Sequence, residues 1–298
     1  MTGDDPAGRW YHEDTPRFRE ALAFTEAESG FLSRLIEKDY YGSLILHDLS
    51  GLFQQGLVFK GGTCLSKVHA EFFRLSEDLD FSVSLGADAT GSERRLAASP
   101  IKVHLAGLPA RFAWFEEVEA FTGHNQRRQY NGQFAYRSAV SGERETIRIE
   151  LSLREEHLLP SERQPALTLL RDPRTGRPAL DPIDVRVLSV REAYAEKIRA
   201  ALTRPEPAVR DFFDIDHAVR LALLDSRDPS VIQLVAAKLA VPGNSRVDLT
   251  AGRIEIIRGQ LEAHLRPVLR DRDYEAFDLD RVVSILQELA ARLGGSPA

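Results

Sequence analysis

Apolar residues recur at helical spacing within the first fifty positions of the chain. Phe18 and Leu22 form one such series, and Leu35 and Ile36 belong to a second. Apolar residues three or four positions apart share one face of a helix, so the pattern predicts two helices within residues 16–49. We expect these helices to shield one side of the core.

After residue 56 the pattern changes to short apolar runs that are typical of strands. Residues 57–59 form an apolar run that closes on the turn Gly61-Gly62-Thr63, and apolar positions at helical spacing follow the turn. This order predicts a strand, a tight turn and a helix, with a second strand over residues 79–85. Residues 102–108 are ambiguous between helix and strand. Further strands are predicted over residues 133–140, 146–153 and 183–188, with a surface loop over residues 171–182.

From Ser189 onward the apolar spacing is helical. Ser189 and Glu192 match a capping box, in which each side chain bonds to the backbone N–H of the other residue. Tyr194, Ile198 and Leu202 follow on one helix face. Further helices are predicted near residues 209–224, 229–240, 251–268 and 276–293.

These elements together predict an α/β (α+β) fold in two domains. A mixed sheet with flanking helices would occupy residues 1–188, and a helical bundle would occupy residues 189–298. With 298 residues, of which 43% are hydrophobic and 28% charged, the chain can bury the core of a compact enzyme.

Charge and cysteine content exclude several classes of protein. The formal charge of -6 argues against a protein that coats nucleic acid through bulk charge, while a local basic groove is compatible with it. Cys64 is the single cysteine, which excludes an intrachain disulfide and a cysteine-rich zinc site. The polar start of the chain and the absence of a long apolar segment indicate neither secretion nor membrane insertion, so we expect a cytoplasmic location.

Three acidic residues are candidate metal ligands. Asp78 and Asp80 are separated by one residue on a predicted strand, so their side chains point to the same face. Paired hard oxygen donors suit Mg²⁺, and Glu150 on the polar side of strand 146–153 would complete a site for two ions. The alternatives are a solvated strand face for the aspartates and, for Glu150, a surface ion pair with Arg148 or Arg154.

The turn at Gly61, Gly62 and Thr63 is a candidate phosphate site. Glycines allow close approach of the backbone, and the N-terminus of the following helix attracts anions. The turn matches neither the P-loop nor the dinucleotide-binding pattern, so the signal is weak when taken alone. The eight histidines show no ligand spacing and there is no Gly-x-Ser-x-Gly turn, which argues against a zinc enzyme and a serine hydrolase.

Two segments taken together resemble the AbiEii family of nucleotidyltransferase toxins. They read Phe59-Lys60-Gly61-Gly62-Thr63-Cys64-Leu65-Ser66-Lys67 and Phe73-Arg74-Leu75-Ser76-Glu77-Asp78-Leu79-Asp80-Phe81. Two further matches are Lys197-Ile198-Arg199-Ala200 and Arg210-Asp211-Phe212-Phe213-Asp214-Ile215. The resemblance implies a polymerase-beta-like nucleotidyltransferase domain and covers roughly residues 55–220.

The resemblance also implies roles for individual residues. Gly61, Gly62, Thr63 and Ser76 would bind the nucleotide, Lys197 would contact its phosphates, and Asp214 would complete the catalytic set with Asp78, Asp80 and Glu150. Asp214 is weighted above Asp211, which lies on the same helix face. Without the resemblance, Lys197 would be a solvated lysine and Asp214 a helix-surface charge. Mg²⁺, as two ions, is the expected cofactor, with Mn²⁺ as an alternative.

The biological role expected from the resemblance is that of a toxin in a type IV toxin–antitoxin pair. The antitoxin would be encoded nearby and would form no stable complex with the toxin. Relatives of the MenT type transfer nucleotides from an NTP to the 3′ end of tRNA, which suggests RNA as the acceptor. Arginines at 127–128 and 171–177 are candidate RNA contacts, although ordinary solvated loops are the favoured interpretation.

Two competing functions remain open at this stage. The same fold would serve for transfer of a nucleotide to a protein hydroxyl, or for a non-catalytic nucleic-acid or partner-binding module. Labelled nucleotide on protein would favour the first alternative, and loss of metal-dependent NTP binding would favour the second. The sequence does not identify the base transferred, the acceptor, the oligomeric state or the role of residues 225–298.

Overall fold

The computed structural model describes residues 10–294, so the acidic start of the chain that weighed against secretion lies outside the described residues. The chain divides into two compact units. The first unit runs to His157 and resumes over Ser161–Val187. The second unit contains Leu158–Pro160 and the chain from Leu188 onward. Leu188, placed last in the predicted first domain, therefore belongs to the second unit.

The first unit is built on a seven-stranded mixed sheet with the order β3-β4-β5-β2-β1-β7-β6. This sheet with its flanking helices confirms the predicted α/β (α+β) fold class. The strands are β1 (Val58–Lys60), β2 (Asp78–Ser82), β3 (Glu116–His124), β4 (Gln129–Arg137), β5 (Arg144–Ser152), β6 (Glu162–Ala166) and β7 (Ile183–Val187).

Strand β2 lies near the middle of the sheet, between two strands of opposite sense. It pairs with β1 in the antiparallel sense and with β5 in the parallel sense. On the other side, β1 pairs in parallel with β7 through Phe59 and Val187. Strands that are distant in the sequence thus meet around β2.

Helices cover one side of this sheet. The predicted pair is confirmed as α1 (Thr15–Ser29), which begins at the N-cap Asp14, and α2 (Ser33–Asp48). The glycine turn opens α3 (Gly61–Cys64), which continues as a π-helical turn over Leu65–His69. The ambiguous segment 102–108 ends α4 (Gly91–Ala106) and begins the short helix α5 (Leu108–Arg111). The core they share with the sheet includes Phe18, Ile36, Tyr40, Ile149 and Leu151.

Two strands were missed by the hydrophobic pattern, and both lie at sheet edges. In β3 only Phe121 is buried, and β6 contains Pro165 and buries only its last residue. An edge strand buries little surface and presents one row of unpaired backbone groups, so it carries weak apolar alternation. The strand predicted over residues 133–140 is confirmed but begins earlier, at Gln129.

The second unit is helical. It contains α6 (Val190–Thr203), α7 (Val209–Arg220), α8 (Pro229–Ala240), α9 (Ala251–Gly259), α10 (Asp271–Ala276) and α11 (Leu279–Arg292). The helix predicted over residues 251–268 is broken after Gly259 into a π-helical turn and a short 3-10 helix. Within residues 10–294, none of the helices has the length and apolar character needed to cross a lipid bilayer.

The predicted capping box at the start of α6 is half wrong. Ser189 does accept a hydrogen bond from the backbone N–H of Glu192, at 3.3 Å. The Glu192 carboxylate instead accepts from the backbone N–H groups of Leu158 and Leu159 and pairs with Lys238 at 2.7 Å. Glu192 and Lys238 are both fully buried, and a buried carboxylate requires a cation and hydrogen-bond donors, which Lys238 and the two backbone N–H groups provide.

Candidate active site

The three candidate metal ligands lie on one face of two adjacent strands. Asp80 is the register partner of Glu150 across the parallel pair β2 and β5, and Asp78 is the partner of Arg148. Register partners in adjacent strands point to the same face, as do residues two apart in one strand. The side chains of Asp78, Asp80 and Glu150 therefore share one side of the sheet. All three are half-buried.

Glu150 also makes the surface pair that was the alternative interpretation. Arg148 Nη2 lies 3.7 Å from Glu150 Oε2, and both side chains are partly exposed. Among the residues that the structure describes, no three carboxylate, histidine or cysteine side chains are close enough together to hold one metal ion. A third ligand from Glu150 would require its carboxylate to turn away from Arg148.

The donor chemistry nevertheless fits Mg²⁺. This ion is commonly held by one or two carboxylates together with substrate phosphates and water. Within residues 10–294 no hydrogen bond or ion pair reaches the Asp78 carboxylate, so its oxygens are available as ligands. Asp80 lies two residues along the same strand and on the same face. The two aspartates suit a hard cation that shares its coordination with a nucleotide.

Gly61 is required by the position of Asp80. Lys60 pairs with Asp80 across β1 and β2, and the next residue, Gly61, has a φ of 76°. A Cβ built on Gly61 would collide with the carboxylate and the Cβ of Asp80. The left-handed backbone and the close approach both exclude a side chain here. The glycine turn and the strand that carries the two candidate metal ligands are thus in direct contact.

Gly62 is required for a different reason, which the sequence analysis missed. A Cβ at Gly62 would collide with the guanidinium of Arg74 and would lie 3.0 Å from Ser76 Oγ. Arg74 is only 2% exposed, and its Nη1 donates to the carbonyl of Leu75 at 3.2 Å. A buried arginine therefore packs directly against the turn, and Ser76 lies beside it.

Further hydrogen bonds tie this turn to the strand that follows. The Thr63 hydroxyl donates to the carbonyl of Asp78, and the Ser66 hydroxyl donates to the carbonyl of Arg74. Thr63 is 5% exposed, so its hydroxyl is used to fix the turn to β2. The structure brings together Gly61, Gly62, Thr63 and Ser76, which are four of the predicted nucleotide-binding residues.

The second unit contains a separate charged cluster around Lys197 on α6. Its Nζ lies 2.9 Å from Asp211 Oδ1 and 2.9 Å from Asp214 Oδ2, both carried by α7. Asp211 also pairs with Arg204 at 3.2 Å. Asp211 and Asp214 are buried, and the Lys197 side chain is 14% exposed, so neither the solvated lysine nor the surface aspartate describes these residues.

Electrostatics keeps Asp211 charged in this cluster. Burial by itself raises the pKa of the Asp211 carboxyl, but the neighbouring cations Lys197 and Arg204 more than offset burial and leave the pKa below its usual range. The resemblance to the family favours Asp214 over Asp211 as the partner of Lys197. In the structure both carboxylates bind Lys197, so Asp211 is a second partner.

Cys64 and the histidines do not form a competing site. Burial raises the pKa of the Cys64 thiol well above its usual value, so the thiol stays protonated and is a poor nucleophile. His104 pairs with Asp48 at 2.9 Å, and His157 with Ser82 at 2.9 Å. Burial lowers the pKa of His217 to about 4. These are structural positions rather than metal ligands.

Comparison with known proteins gives one family match. The family described as "Nucleotidyl transferase AbiEii toxin, Type IV TA system" matches residues 45–284. That range includes the glycine turn, both aspartates, Glu150 and the Lys197 cluster. A comparison with curated proteins found no significant match.

The solved structures that are similar to this chain include two from Helicobacter pylori. The crystal structure of JHP933 is 15% identical with a TM-score of 0.47, over 85% of this chain and 89% of that chain. A second structure, of a protein with a proposed nucleotidyltransferase assignment, is 13% identical with a TM-score of 0.48, over 85% of this chain and 92% of that chain.

Proposed function

The chain belongs to the AbiEii family of nucleotidyl transferase toxins of type IV toxin–antitoxin systems, and we propose that it transfers a nucleoside monophosphate from an NTP to the 3′ end of an RNA, with tRNA as the acceptor. The observation that carries this proposal is the register of Asp80 and Glu150 on adjacent strands, with Gly61 of the phosphate turn packed against Asp80.

The proposal gives each element of the first unit a task. Gly61 and Gly62 let the backbone approach the triphosphate, and the start of α3 directs N–H groups toward it. Asp78 and Asp80 would hold Mg²⁺, and Glu150 would become a third ligand if its carboxylate turned away from Arg148. When bound, Mg²⁺ supplies charge neutralisation at the phosphates and favours loss of the acceptor proton. Positioning and charge stabilisation provide most of such catalysis.

The resemblance to the family is the reason for including the Lys197 cluster in the proposed catalytic set. Lys197 is assigned to the nucleotide phosphates, and the carboxylates of Asp211 and Asp214 hold its ammonium group in one position. Asp214 remains a candidate member of the catalytic set. Membership in the family implies a cognate antitoxin, and we propose that it acts without a stable complex. NTPs and tRNA are cytoplasmic substrates, so the proposal includes a cytoplasmic location.

Transfer of labelled nucleotide tests the proposal. Purified protein is incubated with total tRNA, Mg²⁺ and each labelled NTP in turn, beside Asp80→Ala and the control Glu117→Ala. Glu117 is an exposed acid on β3 in the same unit. We expect wild type and Glu117→Ala to label tRNA, and Asp80→Ala to lose at least about a hundredfold in rate, because it removes a metal ligand.

The other outcomes of this experiment are informative. Label on protein and none on RNA would replace the RNA acceptor with a protein hydroxyl. Transfer by a folded Asp80→Ala within a few-fold of wild type would refute the metal assignment. A folded wild-type protein that labels neither RNA nor protein with any NTP would contradict the proposed activity.

A further inference from the structure

A recess of about 440 Å³ opens at the end of the sheet where β3 turns into β4. Asp88 and Gly91, at the start of α4, line one side. Arg94 from α4 and Arg127 and Arg128 from the turn provide three guanidinium groups. With three cations and one carboxylate in its walls, the recess has the charge of an anion site. We call it the arginine recess.

Arg94 is fixed in the wall of the arginine recess by hydrogen bonds. It is only 4% exposed. Its Nε donates to the carbonyl of Leu153 at 3.2 Å and its Nη2 to the carbonyl of Ala87 at 2.9 Å. Within residues 10–294 it forms no ion pair, so no carboxylate neutralises this guanidinium.

Arg128 provides a second observation that points to a ligand. Its Nε is buried and has no hydrogen-bond partner among the described residues, and its guanidinium forms no ion pair with them. Arg127 beside it donates from Nη1 to the carbonyl of Gly91 at 3.2 Å. An unpaired buried donor is unfavourable, and a bound oxyanion would satisfy it. The planar guanidinium matches the oxygens of a phosphate.

The sheet connects the arginine recess to the candidate active site. Arg128 accepts a hydrogen bond at its carbonyl from the backbone N–H of Leu153, directly beyond β5. Three residues further along β4, Asn131 is the register partner of Glu150. At the rise of a strand, three residues span about 10 Å. Since α4 packs with Ile149 and Leu151 on the face opposite Glu150, a strand of RNA whose end reacts at the carboxylates would reach the recess around this end of the sheet.

We propose that the arginine recess binds a backbone phosphate of the RNA acceptor and so fixes the end of the strand at the carboxylates. The inference rests on the proposed function, since it assumes an RNA acceptor. It assigns Arg127 and Arg128 to a phosphate subsite rather than to an ordinary solvated loop. Because a phosphate group carries no base identity, this subsite would position the acceptor without reading its sequence.

Binding of a single-stranded RNA with a free 3′ hydroxyl and a 5′ fluorophore tests the inference. Fluorescence anisotropy is measured at several salt concentrations, with EDTA present so that no transfer occurs. Three proteins are compared: wild type, a double variant that carries both Arg127→Gln and Arg128→Gln, and the control Arg137→Gln. Arg137 is an exposed arginine at the other end of β4. Thermal unfolding verifies that each variant is folded.

We expect the double variant to bind the RNA about tenfold more weakly than wild type. The slope of log K against log salt should fall by about 0.7, as for loss of one phosphate contact on a single strand. Arg137→Gln should change neither value. A parallel titration with NTP and Mg²⁺ should give the same affinity for all three proteins.

Three results would overturn the inference. An equal loss of RNA affinity in Arg137→Gln would show that RNA binding depends only on the total positive charge of the protein. Unchanged RNA affinity in the double variant would show that the arginine recess does not bind an RNA phosphate. Weaker NTP binding without weaker RNA binding would assign the recess to the nucleotide. If wild type binds RNA through the recess yet transfers no nucleotide, the proposed reaction fails while the subsite stands, so the two failures are distinguishable.

Discussion

Lys197 binds both Asp211 and Asp214, at 2.9 Å in each case, so one lysine bridges two buried carboxylates of α7. The pairing joins the two helical segments in which this chain resembles the family. It also makes the cluster a stabilising feature of the second unit as well as a candidate part of the active site. A variant of Lys197 will therefore report on stability and activity together.

We predict that Lys197→Met lowers the free energy of unfolding by about 3 kcal/mol, because it leaves buried carboxylates without their cation. Adding Asp214→Asn should recover part of this loss, since it removes one of the unpaired charges. Urea unfolding of the two single variants and the double variant measures the coupling. Strictly additive losses would contradict the ion pair.

Gly61→Ala should abolish transfer while leaving most of the fold intact. The new side chain would displace the Asp80 carboxylate, which predicts a loss of at least about a hundredfold in rate. Gly142→Ala is the matched control, because Gly142 has a φ of 75° but no atom within 4 Å of an added Cβ. Both variants should lose about 1 kcal/mol of stability from the left-handed backbone, but only Gly61→Ala should lose activity.

Arg74→Met should weaken nucleotide binding, because the Arg74 guanidinium packs against Gly62 and holds the phosphate turn. We expect KM for the NTP to rise about tenfold and the thermal midpoint to fall. Lys67→Met is the control for loss of a buried cation, since Lys67 is equally buried and pairs with Asp39 at 2.7 Å. It should destabilise the protein without changing the KM. Equal effects of both variants on KM would assign Arg74 a purely structural role.

Stability should fall as the pH falls from about 6.5 to 4, in part because of His12. Burial lowers the pKa of His12 to about 4, and its ring lies 4.3 Å from the ring of Trp114. Between the folded pKa and the ordinary value near 6.5, the unfolded chain takes up a proton that the folded chain does not. One such proton changes the free energy of unfolding by up to about 1.4 kcal/mol per pH unit.

His12→Gln should therefore reduce this dependence on pH, measured as denaturant midpoints at pH 7, 6, 5 and 4. His124→Gln, which replaces an exposed histidine of β3, should leave the dependence unchanged. His217, whose pKa is also lowered to about 4, should preserve a residual slope in His12→Gln. A slope that is identical in wild type and His12→Gln would show that His12 makes no contribution.

The features that local sequence patterns predicted are those whose causes are local. The helices α1 and α2 follow from apolar spacing. The glycine turn follows from the adjacent residues Gly61 and Gly62, because glycine allows the backbone conformations of a tight turn. The common face of Asp78 and Asp80 follows from strand alternation. In each case the residues that determine the feature are close in sequence.

Features set by distant residues were not predictable in this way. The register of Asp80 with Glu150 depends on the pairing of β2 with β5, and the contact of Arg74 with Gly62 depends on how the intervening loop folds back. Glu192 matches a capping pattern, but its carboxylate is buried and pairs with Lys238, which is distant in the sequence. The edge strand β3 shows no apolar alternation because almost all of its side chains are exposed.

The strand order also determines when, during translation, the candidate active site of the first unit can form. Strand β1 leads into the glycine turn and is paired on one side with β2 and on the other with β7. A nascent chain that has not yet reached Val187 contains the turn and both aspartates but lacks the strand beside β1. Non-local pairing of this kind completes late. Formation of the candidate site on β1 and β2 is thereby linked to synthesis of the whole first unit, and chains that end before Val187 lack a complete sheet.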